Sequence, residues 1–296
     1  MRFRLGLIFI LLMSFRLGVQ ASPESTEPSL NPLPGQVWSR EQQTLGPLNT
    51  WLDQLKPGTW LIIGEQHGHP EHHAAQQKIL QHLAASEQLG YVAFEMLNSG
   101  QQAALDALLA QPEALSPEAI DWNPGWSWSD YSPLIRFALE QAKGVVAADL
   151  EPSAQRQAYQ QGAPEGVLDS AHSSYMLELL WQSHCGHLPR NQLPSMLNVQ
   201  LARDQHMARR LSAFTARDQV NLLITGALHA QRDLGIPRWL GPEAVEVLLL
   251  TSIQPTQLPE AYLPAPYTEA DKRLYSADAL LFTPAVPEQD HCDAFR

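Results

Sequence analysis

The chain has 296 residues, 44% of them hydrophobic, a formal net charge of −12 and two cysteines. Length and apolar content suffice for one large domain or two small ones with a real core. The acidic balance argues against nucleic acid as a partner, because phosphate binding needs a basic face.

In chain order, Arg2 and Arg4 precede an apolar run over residues 5–15, and Val19-Gln20-Ala21 resembles a small-x-small cleavage site. Eleven apolar residues are too few to span a bilayer comfortably. Residues 1–21 therefore read as a secretory signal peptide, with an uncleaved anchor as the alternative. Cleavage would remove Arg2, Arg4 and Arg16 and take the charge from −12 to −15. No cysteine lies near that point, so a lipid-modified N-terminus is not supported. Residues 22–36, rich in Pro and Ser, read as a flexible leader. One domain over 37–285 and a tail over 286–296 complete the chain.

Six short apolar runs punctuate the domain: TWLII (59–63), YVAF (91–94), VVAA (145–148), LLIT (222–225), VEVLLL (245–250) and ALLF (279–282). Continuous runs suit strands buried on both faces, as in a parallel sheet covered by helices. Helical patterns between them, such as 71–87 and 198–214, imply an α/β fold: a mostly parallel sheet flanked by helices. The longer insertions at 98–140 and 153–214 are expected to build a helical cap. Polar residues follow the strands: Gly64-Glu65-Gln66-His67, then Glu95, then Asp149 and Glu151, then Gly226-Ala227-Leu228-His229. Ligands of open α/β sheets bind beyond the carboxyl ends of the strands. Glu65, His67, Glu95, Asp149 and His229 would meet there.

The stretch after the first run is rich in histidine: His67, His69, His72 and His73. Pro70 and Glu71 suit a helix start. On the wheel Gln76, Ile79, Leu80 and Leu83 form the buried stripe. His72 falls on it, His73 sits at its edge and reads as solvated, and His82 points to water. No H-E-x-x-H zinc signature is present. Farther on, DWNPGWSWSDYSPL (121–134) crowds aromatics into a loop, to wall a large flat ligand or to glue the cap to the sheet. The helix at 198–214 puts Gln200 and Asp204 on its apolar face, where a buried polar group needs a partner or a ligand. Cys185 and Cys292 are expected to form a disulfide in an oxidising compartment.

GEQHGHPEHHAAQQ, VAFEML, the Tyr131-Ser132-Pro133 segment before VVAADL, HCGHLP with QLARDQHMA, GALHAQRDLGIP and ADALLFTP together resemble the ChaN-like family of haem-binding uptake proteins, over roughly residues 40–285. The resemblance implies an α/β fold with a helical cap, export, and haem handling in iron acquisition. The family is often lipid-anchored, and the missing cysteine departs from that. More distantly, the paired G-x-x-H motifs with Glu65 and Glu95 resemble those of erythromycin-esterase-like and Tiki-type metallohydrolases.

Two functions follow. The first is an exported haem-binding protein, periplasmic or membrane-associated, with its pocket at the strand ends. Its candidate haem contacts are His67, His229, Glu65, Glu95, His72, Tyr131, Tyr175, Asp204 and Arg232. Tyr131, Tyr159 and Tyr175 are candidate phenolate ligands, and Arg203 or Arg232 would face the propionates. The alternative is a hydrolase of esters or peptides. There His67, His229 and one carboxylate hold a divalent metal ion, and the other of Glu65 and Glu95 is the general base. Candidate protein partners are an outer-membrane haem receptor system and a second copy of the chain.

Overall fold

A computed structural model of the protein describes residues 33–162, 168–241, 245–255, 258–263, 267–269, 272–286 and 292. The expected signal peptide, residues 22–32 of the leader and most of the tail lie outside them.

The chain opens with two short strands, β1 (Gln36–Ser39) and β2 (Thr44–Pro47), then helix α1 (Leu48–Leu52). The six apolar runs become β3 (Trp60–Glu65), β4 (Leu89–Asn98), β5 (Gly144–Asp149), β6 (Val220–Gly226), β7 (Val245–Ser252) and, after the small hairpin β8 (Tyr267–Glu269) and β9 (Lys272–Leu274), β10 (Ala279–Thr283). Between β3 and β4 runs α2 (Pro70–Ala85). Between β4 and β5 run α3 (Gln102–Leu108) and α4 (Trp128–Gln141). Between β5 and β6 run α5 (Pro152–Gln161), α6 (Ser170–Ser183) and α7 (Leu193–Ala213), and α8 (Ala227–Ala230) follows β6.

One eight-stranded sheet is ordered β2-β1-β10-β7-β3-β6-β4-β5. From β10 to β5 every pairing is parallel, and the antiparallel pairings of this sheet are those of β1 with β10 and with β2. Every residue of β3, β5 and β6 is buried, as continuous apolar strands require. Helices α2 and α4 cover one face through Ile79, Leu80, Leu83, Leu134, Ile135 and Ala138. Helix α7 covers the other through Met207, Ala208 and Leu211. Of the two long insertions, 98–140 therefore supplies α4 to the sheet-covering layer. The second builds the cap, where α6 and the first half of α7 share a separate apolar cluster of Met176, Leu180, Leu193, Leu197 and Leu201.

Packing begins inside the stretch read as leader. Leu33 is 1% exposed, and the Gly35 N–H donates to the carbonyl of Phe282 at 2.8 Å. Cys185, just after α6, is disulfide-bonded to Cys292 with Cα atoms 5.5 Å apart.

Candidate functional site

Four neighbouring strands, β3, β6, β4 and β5, end at one edge of the sheet. Their ends deliver Glu65, Gly226 with His229, Glu95 and Asp149. Between Phe94 and Asn98 the register of β4 against β5 shifts. A bulge of this kind re-aims a side chain, and Glu95 lies within it.

Glu65 is 1% exposed. Its Oε1 stands 2.8 Å from His67 Nδ1 and accepts from the Tyr131 hydroxyl at 2.5 Å, while Oε2 accepts from Gln76 Nε2 at 2.5 Å. Burial pushes the Glu65 carboxyl up, but the bonds from His67, His73 and Tyr131 outweigh it and hold it at about 2. Glu65 is thus an anion, and His67 Nδ1 must carry the proton between them. His67 Nε2 makes no hydrogen bond among the described residues, and its side chain is 38% exposed. Burial lowers the His67 imidazole, yet the Glu65 bond and the charges of Glu95 and Glu65 raise it overall. Trp126 stands edge-on to His67 with ring centroids 4.8 Å apart. Trp122, ahead of α4, and Tyr131, on it, are buried in the core. That stretch therefore packs α4 onto the core and sets Trp126 beside His67.

The second G-x-x-H histidine sits in a different setting. His229 is 4% exposed. Its Nδ1 lies 2.5 Å from Asp204 Oδ1, and its Nε2 lies 3.1 Å from Arg203 Nη1 and 2.9 Å from Gln200 Nε2. A guanidinium only donates, so Nε2 accepts and Nδ1–H points at Asp204. Arg203 also grips Asp149 through Nε at 2.8 Å and Nη2 at 2.9 Å, and Glu95 through Nη2 at 2.8 Å. The other oxygen of Glu95 accepts from the Thr225 hydroxyl at 2.6 Å and the Gly226 N–H at 2.7 Å. Burial alone would raise the Glu95 carboxyl, but the neighbouring His229, Arg203 and His67 outweigh it and bring it below the usual range. Burial likewise pushes Asp204 up, and there His229 only partly offsets it.

The two glycines of the paired motifs are spacing devices. A Cβ at Gly226 would lie 2.6 Å from His67 Nε2, and a Cβ at Gly64 would lie 2.5 Å from Leu249 Cδ2 and 2.7 Å from Ala230 Cβ. Gly226 lets the first motif's histidine approach the second motif's backbone. Gly64 lets α8 lie flat on β3.

Other expected residues are committed elsewhere or to the site's own framework. The His72 Nδ1 accepts the Gln66 N–H at 3.0 Å, and its ring stacks on His69 at 3.9 Å, so it braces the loop from below. Tyr131 is 1% exposed and committed to Glu65. Burial, then the Glu65 charge, raises its hydroxyl well above the ordinary range, which opposes a phenolate there. Tyr175 is half-buried on the cap cluster, and Tyr159 is half-buried on α5. Arg232 is a correction to the expected propionate contact. It donates to Asp278 and to the carbonyl of Val245, the first residue of β7, at the opposite end of the sheet. Arg203 is at the right edge, but its bonds to Asp149, Glu95 and His229 occupy four of its five N–H donors. His73 is a second correction. It is not a solvated residue: its side chain is 11% exposed, packs against Tyr131 with centroids 5.0 Å apart, and places Nε2 3.5 Å from Glu65. Gln76 and Thr225 were missed. Gln76 carried a signal, being polar on the buried stripe, whereas Thr225 looked like an ordinary strand residue.

Among the described residues, no group of three or more His, Cys, Asp or Glu side chains is arranged to hold a metal ion. Arg203 lies 3.1 Å from His229 Nε2 and also holds Glu95, so these groups already share a cation supplied by the chain itself.

The chain matches the family model described as haem-binding uptake, Tiki superfamily, ChaN over residues 51–240. Among solved structures it is similar to ChaN of Campylobacter jejuni, a protein with cofacial haem binding, at 19% identity and a TM-score of 0.66, covering 83% of this chain and 95% of that one. It is also similar to a mutant of the erythromycin esterase EreC in its open conformation, at 13% identity and a TM-score of 0.44, covering 84% of this chain and 81% of that one. None of the curated proteins matches the chain.

Proposed function

The chain belongs to the family described as haem-binding uptake, Tiki superfamily, ChaN, and on that premise we propose that it is an exported protein that binds haem at the carboxyl edge of the sheet, with His67 as the iron ligand. One observation carries the choice of residue: His67 Nδ1 is engaged by Glu65 while Nε2 is free and the ring half-exposed. A ligating histidine has its other nitrogen bonded to a carboxylate in just this manner. His229 has the same motif but spends Nε2 on Arg203 and Gln200, and Tyr131 is buried and bonded. Bound haem would supply a ferric iron able to take an axial imidazole. The chain's own part is to orient that imidazole, keep its proton on Nδ1 and set Trp126 beside it.

Export is supported by the signal-peptide pattern of residues 1–21 and by the Cys185–Cys292 disulfide, which suits an oxidising compartment. Among the described residues no helix is long and apolar enough to cross a membrane. The uptake role makes an outer-membrane haem receptor system the proposed source of haem. A second copy of the chain is the other proposed partner, to be sought by sizing the protein with and without hemin.

The test is an absorption titration of hemin into haem-free mature protein. A saturable Soret shift, lost in His67→Ala and kept in His229→Gln, is the expected result. A wild-type spectrum identical to that of free hemin defeats the proposal.

A further inference from the structure

A cavity of about 750 Å³ opens at the end of the sheet opposite His67. Thr59 just ahead of β3, Glu246 at the start of β7 and Asp278 just ahead of β10 line it, together with Trp51 of α1. Asp278 is already satisfied there. Its Oδ2 accepts from Arg232 Nε at 2.9 Å and from the Val247 N–H at 2.9 Å, and Arg40 Nη2 stands 3.6 Å from its Oδ1. Arg40 is committed as well: its Nε donates to the Ala277 carbonyl at 3.1 Å, and its guanidinium lies 4.1 Å over the Tyr275 ring. Glu246 differs from both. Among the described residues it forms no ion pair, and its carboxyl bonds to that of Asp278. Two carboxyls that share a hydrogen bond need a proton between them. Burial first, then the Asp278 charge, push Glu246 up to about 7; Glu41 adds to them and Arg232 opposes. Glu246 therefore holds that proton.

The cavity thus presents a carboxyl without a cation beside an aromatic side chain. An anion would find Arg40 engaged and the carboxyls of Glu41 and Glu246 against it. A bare metal ion would leave most of the volume empty, and among the described residues no group of three or more His, Cys, Asp or Glu side chains is arranged to hold one. A protonated amine fits: Glu246 and Asp278 supply negative charge, and an indole face attracts a cation. Lys56, also a lining residue, is exposed, so water and salt screen its charge. We propose that this cavity is a second binding site, which takes a small organic ammonium with Glu246 as its counter-ion and Trp51 as its aromatic contact. The ammonium pairs with the carboxylate form, so binding sends the Glu246 proton to solvent. The site is independent of the haem reading, which concerns the other end of the sheet.

The experiment is isothermal titration calorimetry of the full chain with putrescine and with benzylamine, in wild type and Glu246→Gln, with circular dichroism to verify folding. Each titration is run at pH 6 and pH 8 in two buffers of different ionisation enthalpy, which counts the protons released. Both amines keep their charge over that range. Saturable binding of at least one amine at one site is expected. Its affinity should be about tenfold higher at pH 8 than at pH 6, with a proton released at pH 6 and little at pH 8. In Glu246→Gln the affinity at pH 8 should fall about tenfold and the pH difference should vanish. Absence of saturable heat with both amines overturns the proposal. So does binding that Glu246→Gln leaves unchanged, since that would be attraction to the acidic surface in general. If Glu246→Gln does not fold, the wild type decides alone: proton release at pH 6 supports the site, and an affinity independent of pH overturns it.

Discussion

The two halves of the carboxyl edge begin from the same four-residue motif and end in opposite states. At His67 one ring nitrogen is pinned by a carboxylate and the other is free at a half-exposed surface. At His229 both nitrogens are engaged, in a cluster closed by Arg203, Asp149, Glu95 and Asp204. A strand-end G-x-x-H therefore does not specify a ligand. Whether a cation packs against the imidazole decides that, and Arg203 comes from a distant helix.

The largest effect that would break this contrast is removal of the cation. Arg203→Met leaves Glu95 and Asp149 without their shared partner, and losing one member of a buried charge network costs about 3–5 kcal/mol. Urea unfolding should show that loss; a variant as stable as wild type would mean the cluster is not the structural half. Next, the two histidines should separate by readout. His67→Ala should lower hemin affinity at least tenfold, about 1.4 kcal/mol, with little change in unfolding. His229→Gln should leave hemin affinity near wild type but cost about 1–3 kcal/mol of stability, by stranding Asp204. Reversed outcomes would exchange their roles. A smaller shift is expected from Gly226→Ala, whose Cβ would meet His67 Nε2 at 2.6 Å. Overpacking there should cost about 1–3 kcal/mol, and hemin affinity should fall less than in His67→Ala.

His72 sharpens the comparison from a third side, as a buried histidine with no carboxylate bonded to it. Burial first, then the neighbouring His69, lower its imidazole from 6.5 to about 3. The unfolded chain therefore takes up this proton as pH falls below about 6.5, while the folded chain does not until about 3. Stability from His72 is full above 6.5 and declines toward 3, by at most about 1.4 kcal/mol per pH unit. Urea melts at pH 7 and 5 should show the decline, and His72→Phe should flatten it; equal slopes in both proteins would assign the acid sensitivity elsewhere.

Much of the fold was legible because buried parallel strands must be apolar throughout. All six runs became strands, and the acidic and histidine residues after four of them reached one edge. Gln200 and Asp204 were legible for a related reason: a polar residue on an apolar helix face needs a partner, and both found His229. The antiparallel β1 and β2 were not legible, because four-residue edge strands such as TLGP carry no apolar run and are defined by their pairing. The burial of His73 was not legible either. Its position on the wheel is marginal, and what covers it is Tyr131 on α4.

By itself the sequence determined the layered α/β architecture, the strands and the residues offered at their carboxyl ends, since hydrophobic period and chain order are local properties. Only the tertiary structure decided which of those residues is free to act. That choice depends on contacts between α4 and β3 at Tyr131 and Glu65, and between α7 and the ends of β4, β5 and β6 at Arg203. The ionisation and availability of a side chain follow from the charges and donors packed around it, and segments far apart in the chain supply them.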